Sequence, residues 1–233
     1  MKQALKQLIR ETDAMRFTPP VTHVYNPLRY AWQAHRQYLD RFGRKKGRVL
    51  LLGMNPGPWG MAQTGIPFGE VAAVSEWMKI DAAIDQPREP HNKRPVTGFQ
   101  CSRSEVSGRR VWTWAKTRFE TPDAFFDRFF VHNYCPLMFL EESGRNRTPD
   151  KLPQAERNPL FEVCDTALKE IIEYLEPEGI VGVGAFAEKR AKAVWKSGVM
   201  GKILHPSPAS PAANRGWAEA AERQFTEMGI PLD

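Results

Sequence analysis

Asn55, Asn133 and His205 each follow a short apolar run, and their chemistry is that of groups that hold a planar polar ring and polarise it. A primary amide carries one acceptor and two donors in a single plane, and a neutral imidazole carries one of each. Asparagine has no useful basicity, so Asn55 can orient a water molecule but cannot take its proton. Asn55 lies in Gly53-Met54-Asn55-Pro56-Gly57-Pro58-Trp59-Gly60-Met61-Ala62-Gln63-Thr64-Gly65, directly after Val49-Leu50-Leu51-Leu52. A buried strand that ends in so much Gly and Pro reads as a rigid backbone cradle. The cradle is not a phosphate site by pattern. Its spacing matches neither G-x-G-x-x-G nor G-x-x-x-x-G-K-[ST], and Pro56, Pro58 and Pro67 lack the N–H groups that a phosphate nest needs. A fixed backbone with few free donors suits a planar heterocycle better.

Phe68 could offer such a ring a stacking face, worth ~1–3 kcal/mol per base; it could equally fill the core. The Asn133 amide can match the N3–H and O4 edge of uracil, while cytosine presents the opposite pattern; capping a strand end is the other reading. His205, before Pro206-Ser207-Pro208, could be a surface imidazole, a metal ligand or a catalytic electrophile. No carboxylate or second histidine stands at ligand spacing from it, so no metal site is expected.

The elements that must position these residues alternate. Val49 to Leu52, Arg128 to His132, Ile180 to Val183 and Lys202 to Leu204 read as short strands bounded by turn residues. Helical periodicity covers residues 2–16 and 26–42, then Ser102 to Thr117, Asp165 to Tyr174, Ala185 to Ser197 and Pro211 to Met228, the last with Ser210 as its cap. Such alternation predicts an α/β fold, a parallel sheet with helices on both faces. Parallel strands point their carboxyl ends one way, so Asn55, Asn133 and His205 should meet at one rim. The Pro-rich stretch from Ile80 to Phe99 is expected to be a long loop within one domain over 1–233, with residues 1–24 as a helical extension packed on it.

Composition narrows the classes. The chain has 233 residues, 42% of them hydrophobic and 26% charged, as in ordinary globular proteins. Its 33 Lys and Arg exceed its 27 Asp and Glu, giving a net charge of +6, with clusters at residues 43–48 and at Arg109-Arg110. Clustered cations favour a polyanionic partner, although the first cluster also fits a solvated turn. The odd, widely spaced Cys101, Cys135 and Cys164 allow no disulfide framework or four-thiolate cluster. With no apolar leader and no run near the ~20 apolar residues of a membrane span, an intracellular setting is expected, with no membrane partner. That setting is the cytoplasm and nucleoid in a bacterium, or the nucleus in a eukaryote.

Three motifs in register carry a closer likeness. Residues 53–65 continued by Pro67-Phe68-Gly69-Glu70, then His132-Asn133-Tyr134-Cys135-Pro136-Leu137, and last His205-Pro206-Ser207-Pro208 with Ala213-Asn214-Arg215-Gly216-Trp217, resemble the single-strand-selective monofunctional uracil-DNA glycosylases. The resemblance implies a three-layer αβα fold around a four-stranded parallel sheet, and excision of uracil and some oxidised uracils from single- and double-stranded DNA. It implies no cofactor. On this likeness Asn55 would position the attacking water and His205 would stabilise charge developing on uracil O2. Phe68 would stack on the base and Asn133 would read its edge. Met54, Pro56, Gly57 and Met61 would line the pocket, the last three beside C5. The segment containing Ser207, Pro208, Ala209, Ser210, Pro211, Asn214 and Arg215 would enter the DNA stack; relatives often carry Arg where this chain has Ala209. A monomer is expected. Excision of deaminated purines, or base recognition without cleavage, are the alternative readings.

Overall fold

The computed structural model describes residues 1–232. Its centre is a four-stranded, all-parallel sheet in the order β3-β2-β6-β7, formed by β2 (Val49–Gly53), β3 (Phe129–Asn133), β6 (Gly179–Val183) and β7 (Val199–Ile203). Every residue of β2, β3 and β6 is buried, so both sheet faces are covered. That requirement explains the continuous apolar runs, which an exposed face would have broken into alternation. β7, at the edge, is only half-buried.

Helices surround the sheet: α1 (Lys2–Ala14), α2 (Pro27–Tyr30), α3 (Trp32–Phe42), α4 (Met61–Thr64), α5 (Val106–Phe119), α6 (Pro122–Arg128), α7 (Gln154–Leu175), α8 (Ala185–Val194), α9 (Pro211–Asn214) and α10 (Trp217–Glu227). α8 packs on β2, β6 and β7, α10 packs on β7 and α5, and α1 packs on α7. Aromatic rings join the layers; Phe42 stacks on Phe126 at 4.0 Å and Trp114 on Phe225 at 5.5 Å. Among the described residues no helix is long and apolar enough to cross a membrane.

The structure departs from the sequence reading in several places. A second, antiparallel sheet, β1 (Val21–Tyr25), β4 (Met138–Glu141) and β5 (Asn146–Arg147), lies outside the alternating pattern. Residues 1–24, expected as a helical extension, therefore also supply most of β1, paired with β4 through Tyr25 and Met138. The fourth parallel strand runs from Val199 rather than Lys202. α5 starts at Val106, not Ser102, because the Glu105 side chain caps it, accepting from Ser107 N (3.1 Å) and Gly108 N (2.6 Å). The terminal helix is two pieces, broken at Gly216 where φ is 138°. α7 begins eleven residues before the expected Asp165 and runs through Pro159. Proline frees the carbonyl four residues earlier, on Ala155, and that residue is exposed to water.

Candidate active site

β2 and β3 lie side by side with Gly53 opposite Asn133, and the pairing continues past both strands. Tyr134 N donates to Gly53 O (3.0 Å) and Cys135 N to Met54 O (2.9 Å), so the glycine loop and the 133–137 turn form one rim. Asn55 Nδ2 donates to Leu137 O (3.1 Å) across that rim, which sets the amide orientation and leaves Oδ1 as the acceptor. Asn133 is buried, and its Oδ1 has no hydrogen-bond partner. Its Nδ2 meets only the Met61 sulfur, a weak acceptor, at 3.2 Å. A buried acceptor left unpaired costs about 1–3 kcal/mol, which marks a position kept for something other than stability. Its neighbour Tyr134 anchors the turn, donating to Asp165 (2.7 Å) and accepting from Arg190 Nε (3.0 Å).

The ring of Phe68 borders the same space. A β-carbon on Gly53 would collide with Asn133 Oδ1 and come within 2.8 Å of the Phe68 ring, so only glycine lets the amide and the ring converge there. Phe68 has a left-handed backbone (φ 54°), a conformation that costs of order 1 kcal/mol for a non-glycine residue. Its carbonyl is held by Trp112 Nε1 (2.9 Å) and Glu70 N (2.7 Å), and it presses on Gly108, where a β-carbon would overlap the oxygen. Phe68 is half-buried and packs against the core while its ring also borders this space.

His205 completes the group, its ring centroid 6.3 Å from that of Phe68. The residue before it is clamped by α10: Trp217 Nε1 donates to Leu204 O (2.6 Å), and Leu204 N donates to Gln224 Oε1 (2.7 Å). Ser207 N donates to His205 Nδ1 (3.1 Å), so Nδ1 is unprotonated and the neutral ring carries its hydrogen on Nε2. Burial pushes the imidazole pKa below the usual 6.5, which favours the neutral ring at neutral pH. Asn55, Asn133, Phe68 and His205 are thus gathered at the carboxyl ends of β2, β3 and β7. Among the described residues no cluster of His, Cys, Asp and Glu could hold a metal ion.

The model of the uracil DNA glycosylase superfamily matches residues 41–227, which span all of these groups. The chain belongs to that superfamily. Within it, the chain is 46% identical over 229 residues to the single-strand selective monofunctional uracil-DNA glycosylase of Rattus norvegicus, covering 96% of this chain and 82% of the relative. The Bos taurus protein of the same name is 45% identical, covering 97% of this chain and 86% of its own. These relatives place the chain in the single-strand selective monofunctional family. The crystal structure of wild-type SMUG2 from Pedobacter heparinus shares the fold, with a TM-score of 0.68 at 16% identity over 97% of each chain.

The remaining residues singled out in this glycosylase-family chain divide into two sets. Pro56 and Gly57 are held through their own main-chain carbonyls: Pro56 O accepts from Asn146 (3.2 Å), and Gly57 O accepts from Ala62 N (3.1 Å) as α4 begins. Gln63 ties this loop to the 80–99 segment, donating to Pro95 O (3.0 Å) and accepting from Thr97 N (2.8 Å). After His205, Ser207 Oγ accepts from Ala209 N (3.2 Å), Ser210 caps α9 through Ala213 N (3.3 Å), and Asn214 donates to Pro208 O (3.0 Å). Pro208, Ala209, Pro211, Asn214 and Arg215 are exposed along this segment.

The basic clusters prove unequal. Within residues 43–48, Lys45 pairs with Asp127 (2.8 Å) and Lys46 with Glu176 (2.6 Å) at the surface, while buried Arg48 donates to Phe42 O and Phe126 O. In the second cluster Arg109 is exposed while Arg110 turns onto main-chain carbonyls. Trp112, Gln224 and Arg110 support the site, and no motif in the sequence marks them for it. Only the contiguous Ala213-to-Trp217 motif hinted that the last helix had a part in it.

Proposed function

We propose that Asn55, His205, Phe68 and Asn133 together excise uracil from DNA. The reaction of a monofunctional uracil-DNA glycosylase is hydrolysis of the N-glycosidic bond: the base leaves, water adds at C1′, and an abasic site remains. The observation that carries the assignment of residues is the unpaired, buried Oδ1 of Asn133 beside the Phe68 ring. Uracil N3–H donates to that oxygen and its O4 accepts from Nδ2, while the ring lies on Phe68. Cytosine would set like groups against each other, at a cost of roughly 1–3 kcal/mol per mismatched pair.

Asn55, its amide tied to Leu137, offers Oδ1 to the attacking water. Because no strong base acts on that water, the rate comes mainly from stabilising the departing uracil anion, and His205 Nε2–H donates to O2 as the charge forms. Water rather than an amine attacks, so no lysine nucleophile is needed and the strand stays intact. The target nucleotide must leave the stack, which costs least in a single strand. Residues 207–215 then border the flipped nucleotide, with Arg215 available to a phosphate. The resemblance supports uracils modified at C5 as further substrates, and a monomer as the acting species.

Oligonucleotides with uracil, hypoxanthine, xanthine or thymine, single- and double-stranded, test this reading when incubated with the protein and then exposed to alkali. Breaks only after alkali and only at uracil are expected. Breaks at the purines instead would move the assignment to deaminated purines, and tight, salt-sensitive binding without breaks would leave a binding module. Two variants separate chemistry from binding. Asn55→Ala lowers turnover about a hundredfold with little change in DNA affinity, whereas Arg215→Ala weakens binding across sequences and reduces the salt slope by about one. Equal losses of affinity in both would make Asn55 structural.

A further inference from the structure

Arg110, on α5, makes no contact with the base pocket described above, yet its guanidinium is spent on the segment that follows His205. Nη1 donates to Pro206 O (3.1 Å) and Ser207 O (3.2 Å), and Nη2 donates to Asn214 Oδ1 (2.8 Å). The first of these bonds ends on a particular peptide unit. The carbonyl of Pro206 and the N–H of Ser207 belong to one planar group and point in opposite directions across it. That same N–H donates to His205 Nδ1. A cation therefore sits at one end of the peptide dipole and the imidazole at the other.

We propose that Arg110 is a positioning residue for His205, acting through the Pro206–Ser207 peptide. The guanidinium pulls electron density toward the carbonyl oxygen and strengthens the peptide N–H as a donor, as successive bonds in a chain polarise one another. The N–H holds Nδ1 as an acceptor, and the ring hydrogen stays on Nε2. Charge-assisted bonds to two successive carbonyls also fix the peptide plane, so the imidazole is aimed before substrate arrives. A neutral residue in place of Arg110 would remove the charge and the paired donors, leaving the carbonyls to a weaker donor or to water and letting the plane turn. The inference rests on the reading of His205 as the donor to uracil O2.

The test uses the whole chain with Arg110→Gln and Arg110→Lys. Three quantities are read: the single-turnover rate on a uracil-containing single strand, the affinity for the same strand bearing a non-hydrolysable deoxyuridine analogue, and the nitrogen NMR signals of the His205 ring, assigned with His205→Gln. Arg110→Gln is expected to slow excision ~10–100-fold, as loss of an orienting partner typically does, with affinity held within about threefold. Arg110→Lys recovers part of the rate, because an ammonium satisfies one carbonyl but not the fork. The His205 ring in Arg110→Gln shows hydrogen shared between both nitrogens, while the parent shows it on Nε2. A rate within about twofold of the parent, a loss matched by affinity, or unchanged ring signals would overturn the proposal. If the parent releases no uracil, the functional reading fails, and the ring signals still judge whether Arg110 sets the tautomer. A folded Arg110→Lys with an unchanged unfolding midpoint keeps the comparison valid if Arg110→Gln does not fold.

Discussion

His205→Ala lowers the single-turnover rate of uracil release about 10²–10³-fold, the usual effect of removing one preorganised donor from a developing anion. Affinity for a strand with a non-hydrolysable uracil nucleoside changes far less, because the donor matters most when charge has formed on O2. The proposed role needs an uncharged imidazole, and the surroundings of His205 favour one. Ser207 N–H occupies Nδ1, burial lowers the pKa, and the remaining hydrogen is on Nε2. The sign of the pH effect follows: with the pKa below 6.5, the rate holds through neutrality and shows no acid limb until the pH drops beneath that value. Rate measurements from pH 8 downward check this, and a rate loss under about tenfold in His205→Ala would remove the residue from the chemistry.

Acid should weaken the fold itself, through two histidines that the chemistry does not use. His35 and His132 are buried, and burial pushes their pKa values down to about 4 and about 3, with the neighbouring His35 adding to the effect on His132. The unfolded chain binds those protons near pH 6.5 while the folded chain does not, so stability is complete above about 6.5 and drains as pH falls toward 4 and 3. Between pH 6.5 and 5 each histidine costs about 2 kcal/mol, a large share of the roughly 5–15 kcal/mol that holds a domain together. Urea unfolding across that range is the measurement, on the parent and on His132→Leu. The variant should show about half the pH slope. An unchanged slope would assign acid sensitivity to carboxylates instead. His132 is the residue before Asn133 in β3, so protonation loosens the strand end that carries the Asn133 amide.

The parallel sheet was legible because β2, β3 and β6 are buried on both faces, and Val49 to Leu52 or Ile180 to Val183 could be apolar at every position. The candidate site stood out for a related reason: polar residues that end such runs are conspicuous, as His132 and Asn133 are after Phe129 to Val131. The antiparallel sheet escaped notice because β5 is two residues long and β1, Val21 to Tyr25, mixes Thr22 and His23 into its run. Helix boundaries failed where a side chain outweighed periodicity, as when the Glu105 carboxylate took over the first turn of α5. Arg110 was hidden most thoroughly. Beside Arg109 it reads as surface charge, and nothing in its neighbours tells that it turns to carbonyls nearly a hundred residues away.

That arginine shares α5 with Gly108 and Trp112. Four residues apart, Gly108 and Trp112 fall on one face of the helix and meet Phe68, while Arg110, two residues along, projects about 200° away toward Pro206 and Ser207. Phe68, through its carbonyl, and the segment after His205 are therefore gauged from opposite sides of one rod. A residue inserted between Gly108 and Arg110 would turn Arg110 and Trp112 together by about 100° relative to Gly108 and shift them by about 1.5 Å, so Gly108 would leave the face that meets Phe68. The spacing of the two walls is recorded as a count of residues along a helix that need never touch the base.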